Sequence, residues 1–152
     1  MAVVNYRAIL DALGALLRAD SRILTLGARV YVEEDPTFGL ADVQNAIAIY
    51  PVRRTIHPNQ ALAAGKNTRW LLELSVWCFG FALQDFKSAA DIRDLLLDQL
   101  EVVLNDNRTI SATVEFMNMG GGDFPDGRNP DNNVFVAGVE TTIICTVSAI
   151  SP

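Results

Sequence analysis

The sequence predicts a single α+β domain over 1–152, in which a mixed, mainly antiparallel sheet of about five strands packs against two helices. Three observations carry this prediction. The chain begins with a helical repeat of apolar residues, its middle holds a long apolar strand followed by a long amphipathic helix, and it closes on a second long apolar strand. Its 152 residues suit one domain, and half of them are hydrophobic, which is enough for a sizeable core.

A helix and a short strand are predicted first. Apolar residues recur at helical spacing over 5–18, and Asn5 is placed to cap this helix. The stretch RVYVEE at 29–34 alternates as a half-buried strand does, with Val30 and Val32 on one face. The Asp-Pro pair that follows is expected to end the strand.

A second strand and a long polar loop come next. Residues 43–52 place isoleucines on one face and alanines on the other, and Pro51 predicts that this strand ends at a sheet edge. The stretch 53–68 is polar and has no clear period, so we predict a long projecting loop.

The strongest strand signal lies in the middle of the chain. Residues 69–81 alternate between an apolar face and a mixed face, and the mixed face carries Leu71, Trp77 and Phe79 beside Glu73. Such a face predicts a sheet whose back is covered incompletely or by another subunit.

A capped helix and two further strands complete the predicted domain. Ser88 is placed to cap the helix, and the Asn-Asp-Asn run at 105–107 ends it. Strands are predicted over 111–117 and 136–150. The stretch 118–135 between them is rich in glycine, asparagine and aspartate, which predicts a projecting arm loop.

Composition narrows the function classes. The net charge of −6 argues against a general nucleic-acid binder, which needs a basic face to neutralise phosphates. No apolar run is long enough to span a membrane, and the first residues lack the pattern of a secretory signal, so a cytoplasmic protein is expected. Cys78 and Cys145 fall in predicted strands and are expected to be buried free thiols.

Four stretches partly match known chemical motifs, and none completes one. AGKNT at 64–68 lacks the first glycine and the hydroxyl residue of a phosphate-binding loop, and the acidic loop at 120–131 lacks the calcium-loop spacing. His57 has no sequence context that marks a catalytic triad. Asp94 and Asp98 share a helix face, where they repel each other mildly. We therefore predict no catalytic residue, no cofactor and no metal site.

Charged and apolar side chains instead predict surfaces for partners. Basic residues at both ends of the 53–68 loop could form a docking patch for an acidic surface, whereas ordinary surface charge is the alternative. The apolar residues of the mixed strand face and the tip of the arm complete the predicted interface. Its residues are Arg53, Arg54, Lys66, Arg69, Leu71, Trp77, Phe79, Asp123, Phe124, Asp126 and Arg128.

The order of the elements resembles that of the tail-terminator and tail-completion, or head–tail joining, proteins of long-tailed bacteriophages. The residues that carry the resemblance are YRAILDALGALL near the start, RWLLELSVWCFG and SAADIRDLLLDQLEVVL in the middle, and GVETTIICTVSAI near the end. The resemblance covers most of the chain. It implies a structural virion protein without enzymatic activity, which forms a hexameric ring at the head-proximal end of the tail, stops growth of the tail tube and joins the tail to the neck.

The implied partners are further copies of this chain, the tail-tube protein and a neck or connector protein. DNA would pass through the ring without sequence-specific binding, and no membrane is involved. The implied location is the tail or neck of the virion, after assembly in the host cytoplasm. Glu33, Glu34 and Asp35 are the expected acidic lining of the channel, since negative charge repels phosphates.

Three alternatives stay open. The chain could be another neck, tail or baseplate subunit. It could be a small-molecule-binding α+β domain with a pocket between the sheet and the helix over 88–105. It could also be a DNA-binding regulator, which its acidic balance disfavours.

Overall fold

Three helices and five strands are present in a computed structural model that describes residues 4–36, 45–56, 67–125 and 134–150. In chain order the elements are α1 (Tyr6–Ala19), α2 (Ser21–Thr25), β1 (Arg29–Val32), β2 (Ala46–Ile56), β3 (Asn67–Ala82), α3 (Phe86–Asp106), β4 (Phe116–Met119) and β5 (Phe135–Ile150).

The strands form one sheet in the order β1-β2-β3-β5-β4. Only β1 and β2 are parallel, and the other three pairs are antiparallel. β3 and β5, of 16 residues each, pair along their whole length. The predicted fold class, an α+β domain with a mixed and mainly antiparallel sheet of about five strands, is confirmed.

The core lies between one face of this sheet and the two long helices. The apolar stripes of α1 and α3 are buried against the same strand residues, because the helical period brings one residue in three or four to the sheet. The fully or nearly fully buried residues at this contact are Leu13 and Leu17 of α1, Leu96, Leu100, Val103 and Leu104 of α3, and Leu72, Leu74, Val76 and Cys78 of β3.

Caps explain where the helices begin. The Asn5 side chain accepts a hydrogen bond from the Ala8 amide at 3.0 Å, which confirms the predicted cap of α1. The prediction that Ser88 caps α3 was wrong. Asp85 caps it instead, and its carboxylate accepts from the Ser88 amide at 2.7 Å, so the helix begins two residues earlier, at Phe86. The short helix α2 was not predicted.

The second strand does not end at Pro51. β2 continues to Ile56, with one extra residue, Val52, bulging out of the pairing with β3. Pro51 is tolerated because β1 accompanies β2 only as far as Ile49, so no strand in the described part of the chain needs the missing N–H. Arg53 and Arg54 therefore lie in a strand and not in a loop.

The strand predicted over 111–117 was also wrong at its start. Ile110, Ser111 and Ala112 have φ of 46°, 54° and 63°, so the chain turns here, and β4 begins only at Phe116. Ile110 is fully buried in this turn, and its burial offsets the cost of the left-handed backbone.

Part of each stretch predicted as a loop is paired as a strand. Residues 53–56 belong to β2, and residues 120–123 run beside β5 as an extension of β4, with the Gly120 amide donating to Thr142 O at 2.7 Å. Residues 57–66, which include His57, and 126–133 lie outside the described residues. No helix in the described ranges is long and apolar enough to cross a membrane.

Candidate interaction surfaces

The sheet face opposite the helices is the first candidate surface. It carries Trp77 and Phe79, whose rings stack with centroids 5.7 Å apart and an interplanar angle of 6°. Their partners in register on β2 are Ala48 and Ala46, both buried. In the part of the chain that the structure describes, the buried stripes of the two long helices pack on the other face.

The polar groups of this outer face are paired within the sheet. Arg53 Nε donates to Glu73 Oε2 at 2.6 Å, and Ser75 Oγ donates to Glu140 Oε1 at 3.0 Å. Toward the β4 edge the face becomes apolar and more open, since Ile144 is 38% and Phe116 43% exposed. Leu71 is half-buried on the same face. The outer face thus combines paired charges with apolar side chains.

The described residues of the predicted basic patch do not lie together. Arg53 lies on the outer face, whereas Arg54 lies on the helix face with its guanidinium 5.5 Å from the Tyr6 ring and 5.4 Å from the Trp70 ring. Arg69 lies 3.4 Å from Glu115, beside the β4 edge. Lys66 is outside the described residues. These arginines do not form a common patch of unpaired charge.

The three acidic residues predicted to line a channel lie together just after β1. Glu33, with φ of 56°, ends the strand, and its carboxylate pairs with Arg7. The Tyr50 hydroxyl donates its one proton to Asp35 Oδ1 at 2.7 Å, and its oxygen lies 3.0 Å from Glu34 O. Burial, and secondly the bond to Asp35, raise the pKa of Tyr50 to about 12, so the hydroxyl stays a donor at neutral pH. The acidic residues are exposed, and their place in a channel stays a prediction.

The start of the arm is held against β5. Asp123 O accepts from the Glu140 amide at 2.9 Å, and a Cβ on Gly122 would lie 1.7 Å from Glu140 O, so only glycine fits there. The exposed Phe124 ring lies under the Arg93 guanidinium of α3, 4.8 Å from its centroid. Asp126 and Arg128 lie outside the described ranges, so their part in an interface stays a prediction.

Among the described residues, buried apolar side chains occupy the space between the sheet and α3. Leu96, Leu100, Val103 and Leu104 fill it, each fully buried. A cleft of about 390 Å³ lies elsewhere, between the start of α1 and the end of β2. Its lining residues are Tyr6, Arg7, Leu10, Glu33, Pro51, Val52, Arg53, Arg54 and Leu72. Within the described ranges, no group of three or more His, Cys, Asp or Glu side chains could hold a metal ion.

Both cysteines are buried and free, as predicted. Burial raises the pKa of each thiol to about 12, with a smaller contribution from Glu101 at Cys78. Because the thiolate is the reactive form, both thiols of the folded protein should react with a thiol reagent roughly a thousandfold more slowly than in the unfolded chain. With a reagent that releases a chromophore when it reacts with a thiol, absorbance measures both reaction rates, with and without guanidinium. Fast labelling of either thiol without denaturant would contradict the burial seen here.

Comparisons with known proteins identify no family. No protein-family model matches the chain, and no curated protein matches it in sequence. Among solved structures, it is similar to a chain from the virion of a native gene transfer agent particle, at 10% sequence identity and a TM-score of 0.46. The similarity covers 92% of this chain and 94% of that chain. At this TM-score and identity, the similarity indicates nothing about what this chain does.

Proposed function

We propose that this chain is a structural virion protein of a long-tailed phage: a tail terminator that forms a hexameric ring at the head-proximal end of the tail. The observation that carries the proposal is the one-sided layering of the domain. The described helices pack on one sheet face, and the opposite face carries the stacked rings of Trp77 and Phe79 and the exposed Ile144. This layering occurs in the element order that resembles the tail-terminator family.

In a monomer, this sheet face would leave apolar side chains in contact with water. An antiparallel sheet can keep one face in water, but that face then carries mainly polar side chains. Here stacked aromatic rings and exposed apolar residues lie among charges that are already paired, as Arg53 is with Glu73. Burying an internally neutralised face against another protein avoids leaving an unpaired charge. The face is therefore suited to contact with neighbours in an assembly.

The same proposal includes the partners and the channel. The ring would contact the tail-tube protein on one side and a neck protein on the other, and it would let DNA pass. The net charge of −6 and the exposed acidic group at 33–35 support a wall along which DNA slides, because like charges repel. The proposed role is structural and involves no catalysis.

The test is the solution mass of the protein, followed by its binding to tail tubes. Light scattering after gel filtration should give a mass near six times 16.6 kDa, and negative-stain images should then show an annulus. Purified tail tubes should bind the protein at one end. A protein that stays monomeric and also fails to bind tail tubes would contradict the proposal.

A second candidate function, another neck, tail or baseplate subunit, is equally compatible with this one-sided layering. Immunolabelling of virions in electron micrographs separates the two. A label at the junction of head and tail supports the terminator, and a label at the far end of the tail supports a baseplate subunit.

A further inference from the structure

In the described part of the chain, both outer edges of the sheet carry backbone groups that have no strand beside them. β1 accompanies β2 only to Ile49, whose carbonyl accepts from the Glu33 amide at 2.9 Å. In the described ranges no strand pairs with 50–56 on that side. At the opposite edge, β4 and its extension to Asp123 pair with β5 on one side, and no strand among the described residues pairs with them on the other. Open edges of this kind are templates for pairing with another chain.

The two edges match in length. The free part of β2 has seven residues, 50–56, and the β4 edge with its extension has eight, 116–123. At about 3.3 Å per residue these segments are about 23 and 26 Å long. Segment 50–56 of one copy could therefore pair with segment 116–123 of another copy along nearly its whole length.

The two edges also differ in charge. Segment 50–56 contains two arginines and no acidic residue, whereas 116–123 contains Asp123 and no basic residue, and Glu115 comes directly before it. Arg53 and Glu115 have ion-pair partners within the chain. Among the described residues, Arg54 and Asp123 have no ion-pair partner, and the Arg54 guanidinium lies over the Tyr6 and Trp70 rings. Exposed apolar residues also lie on both segments: Val52 and Ile56 on one, Phe116 on the other.

We propose that the free half of β2 in one copy pairs with the β4 edge of the next copy, so that the sheet continues from subunit to subunit. This inference rests on the proposed ring function. Because β2 and β4 run in opposite directions within the sheet, copies related by a rotation about an axis along the strands meet in antiparallel pairing. Two different edges meet in each contact, so the contact is head-to-tail and can close into a ring.

The backbone register shows which residues would make the contact. Backbone groups of a strand point alternately to its two neighbours. The backbone groups of Ile49 point to β1. The extra residue at Val52 shifts the alternation by one position. The N–H groups of Arg54 and Ile56 therefore point to the free edge. On β4, the Gly120 amide points to β5, so the amide of Met119 points to the other free edge.

Two proline variants test the proposal. Ile56→Pro removes a donor from the β2 edge, and Met119→Pro removes one from the β4 edge; neither touches the pairing with β3 or β5. Sedimentation over a range of concentrations should show each variant as a single chain, or raise its dissociation concentration at least about tenfold. Ile56→Val and Met119→Leu, which keep the amide, should assemble as the unmodified protein does.

Mixing the two proline variants gives the sharper result. Each variant keeps one intact edge, and the two intact edges are complementary. An equal mixture should therefore form a one-to-one dimer and stop there, although each variant alone is a single chain. Circular dichroism first checks that both are folded. If a proline variant is unfolded, Asp123→Lys, on an exposed segment, takes its place. This variant should weaken assembly, and Asp123→Asn should weaken it by an intermediate amount.

The outcomes separate this inference from the proposed function. Proline variants that assemble like the unmodified protein, or a mixture that stays monomeric, would overturn the edge pairing and leave a ring built on another surface. An unmodified protein that is a single chain at every concentration also overturns the edge pairing. In that case binding to tail tubes still decides the proposed function.

Discussion

Replacing Leu100 with alanine should lower the free energy of unfolding by about 3 kcal/mol. Leu100 lies on α3 with no exposed surface, among side chains of α3 and β3 that also have none. The substitution removes apolar contacts and leaves a cavity that a packed sheet on one side cannot collapse to fill. Guanidinium unfolding followed by circular dichroism measures the change, at a concentration low enough that assembly does not contribute.

Leu95→Ala is the matched control, because it makes the same chemical change five positions earlier on the same helix. Leu95 is 51% exposed and faces away from the core. Its loss should change the free energy of unfolding by no more than about 0.5 kcal/mol. Equal effects of the two substitutions would mean that α3 is not seated on the sheet through the face described here.

Long periodic elements could be predicted closely from the sequence. The strand predicted over 69–81 is found as Asn67–Ala82, and the one over 136–150 as Phe135–Ile150. Each repeats its apolar and polar alternation over more than a dozen residues, so a shift of one position would expose the whole buried set. The pattern of β3 also identified which side chains share the outer face, and the register confirms that Leu71, Trp77 and Phe79 lie together.

Elements that depend on tertiary contacts could not be predicted. The continuation of β2 through Pro51 depends on β3 lying on one side and on β1 having already ended on the other. The sequence around Ile110 alternates as a strand does, but burial of that side chain holds a left-handed turn instead. Ser88 and Asp85 are both good caps, and the local sequence does not decide between them.

Ion pairs across the sheet could not be predicted from the sequence either. Arg53 meets Glu73, and Arg69 meets Glu115, only because the strands pair in one register. From the sequence, the arginines at 53, 54 and 69 formed one basic group. The alternation of β2 sends neighbouring residues to opposite faces, which separates Arg53 from Arg54. Sequence patterns thus predict which face a side chain occupies better than which residue it contacts.

Gly80→Ala should lower the free energy of unfolding by about 2–3 kcal/mol, although it adds only one methyl group. Gly80 lies where β3 packs against the backbone of the first turns of α3. A Cβ added there would lie 2.2 Å from Ala89 O and 2.6 Å from the Arg93 amide nitrogen. Both are backbone atoms, so no side-chain rotation relieves the overlap, and the start of α3 must move away from the sheet.

Gly121→Ala is the control for this substitution. It makes the same chemical change where an added Cβ meets nothing within 4 Å and where the backbone needs no positive φ. Its effect should be neutral or stabilising by less than about 1 kcal/mol, because alanine restricts the unfolded chain more than glycine does. Thermal unfolding of both variants gives the comparison. If Gly80→Ala unfolds at the same temperature as Gly121→Ala, then α3 does not contact β3 at Gly80, and the packing of the helix layer described here is wrong at its N-terminal end.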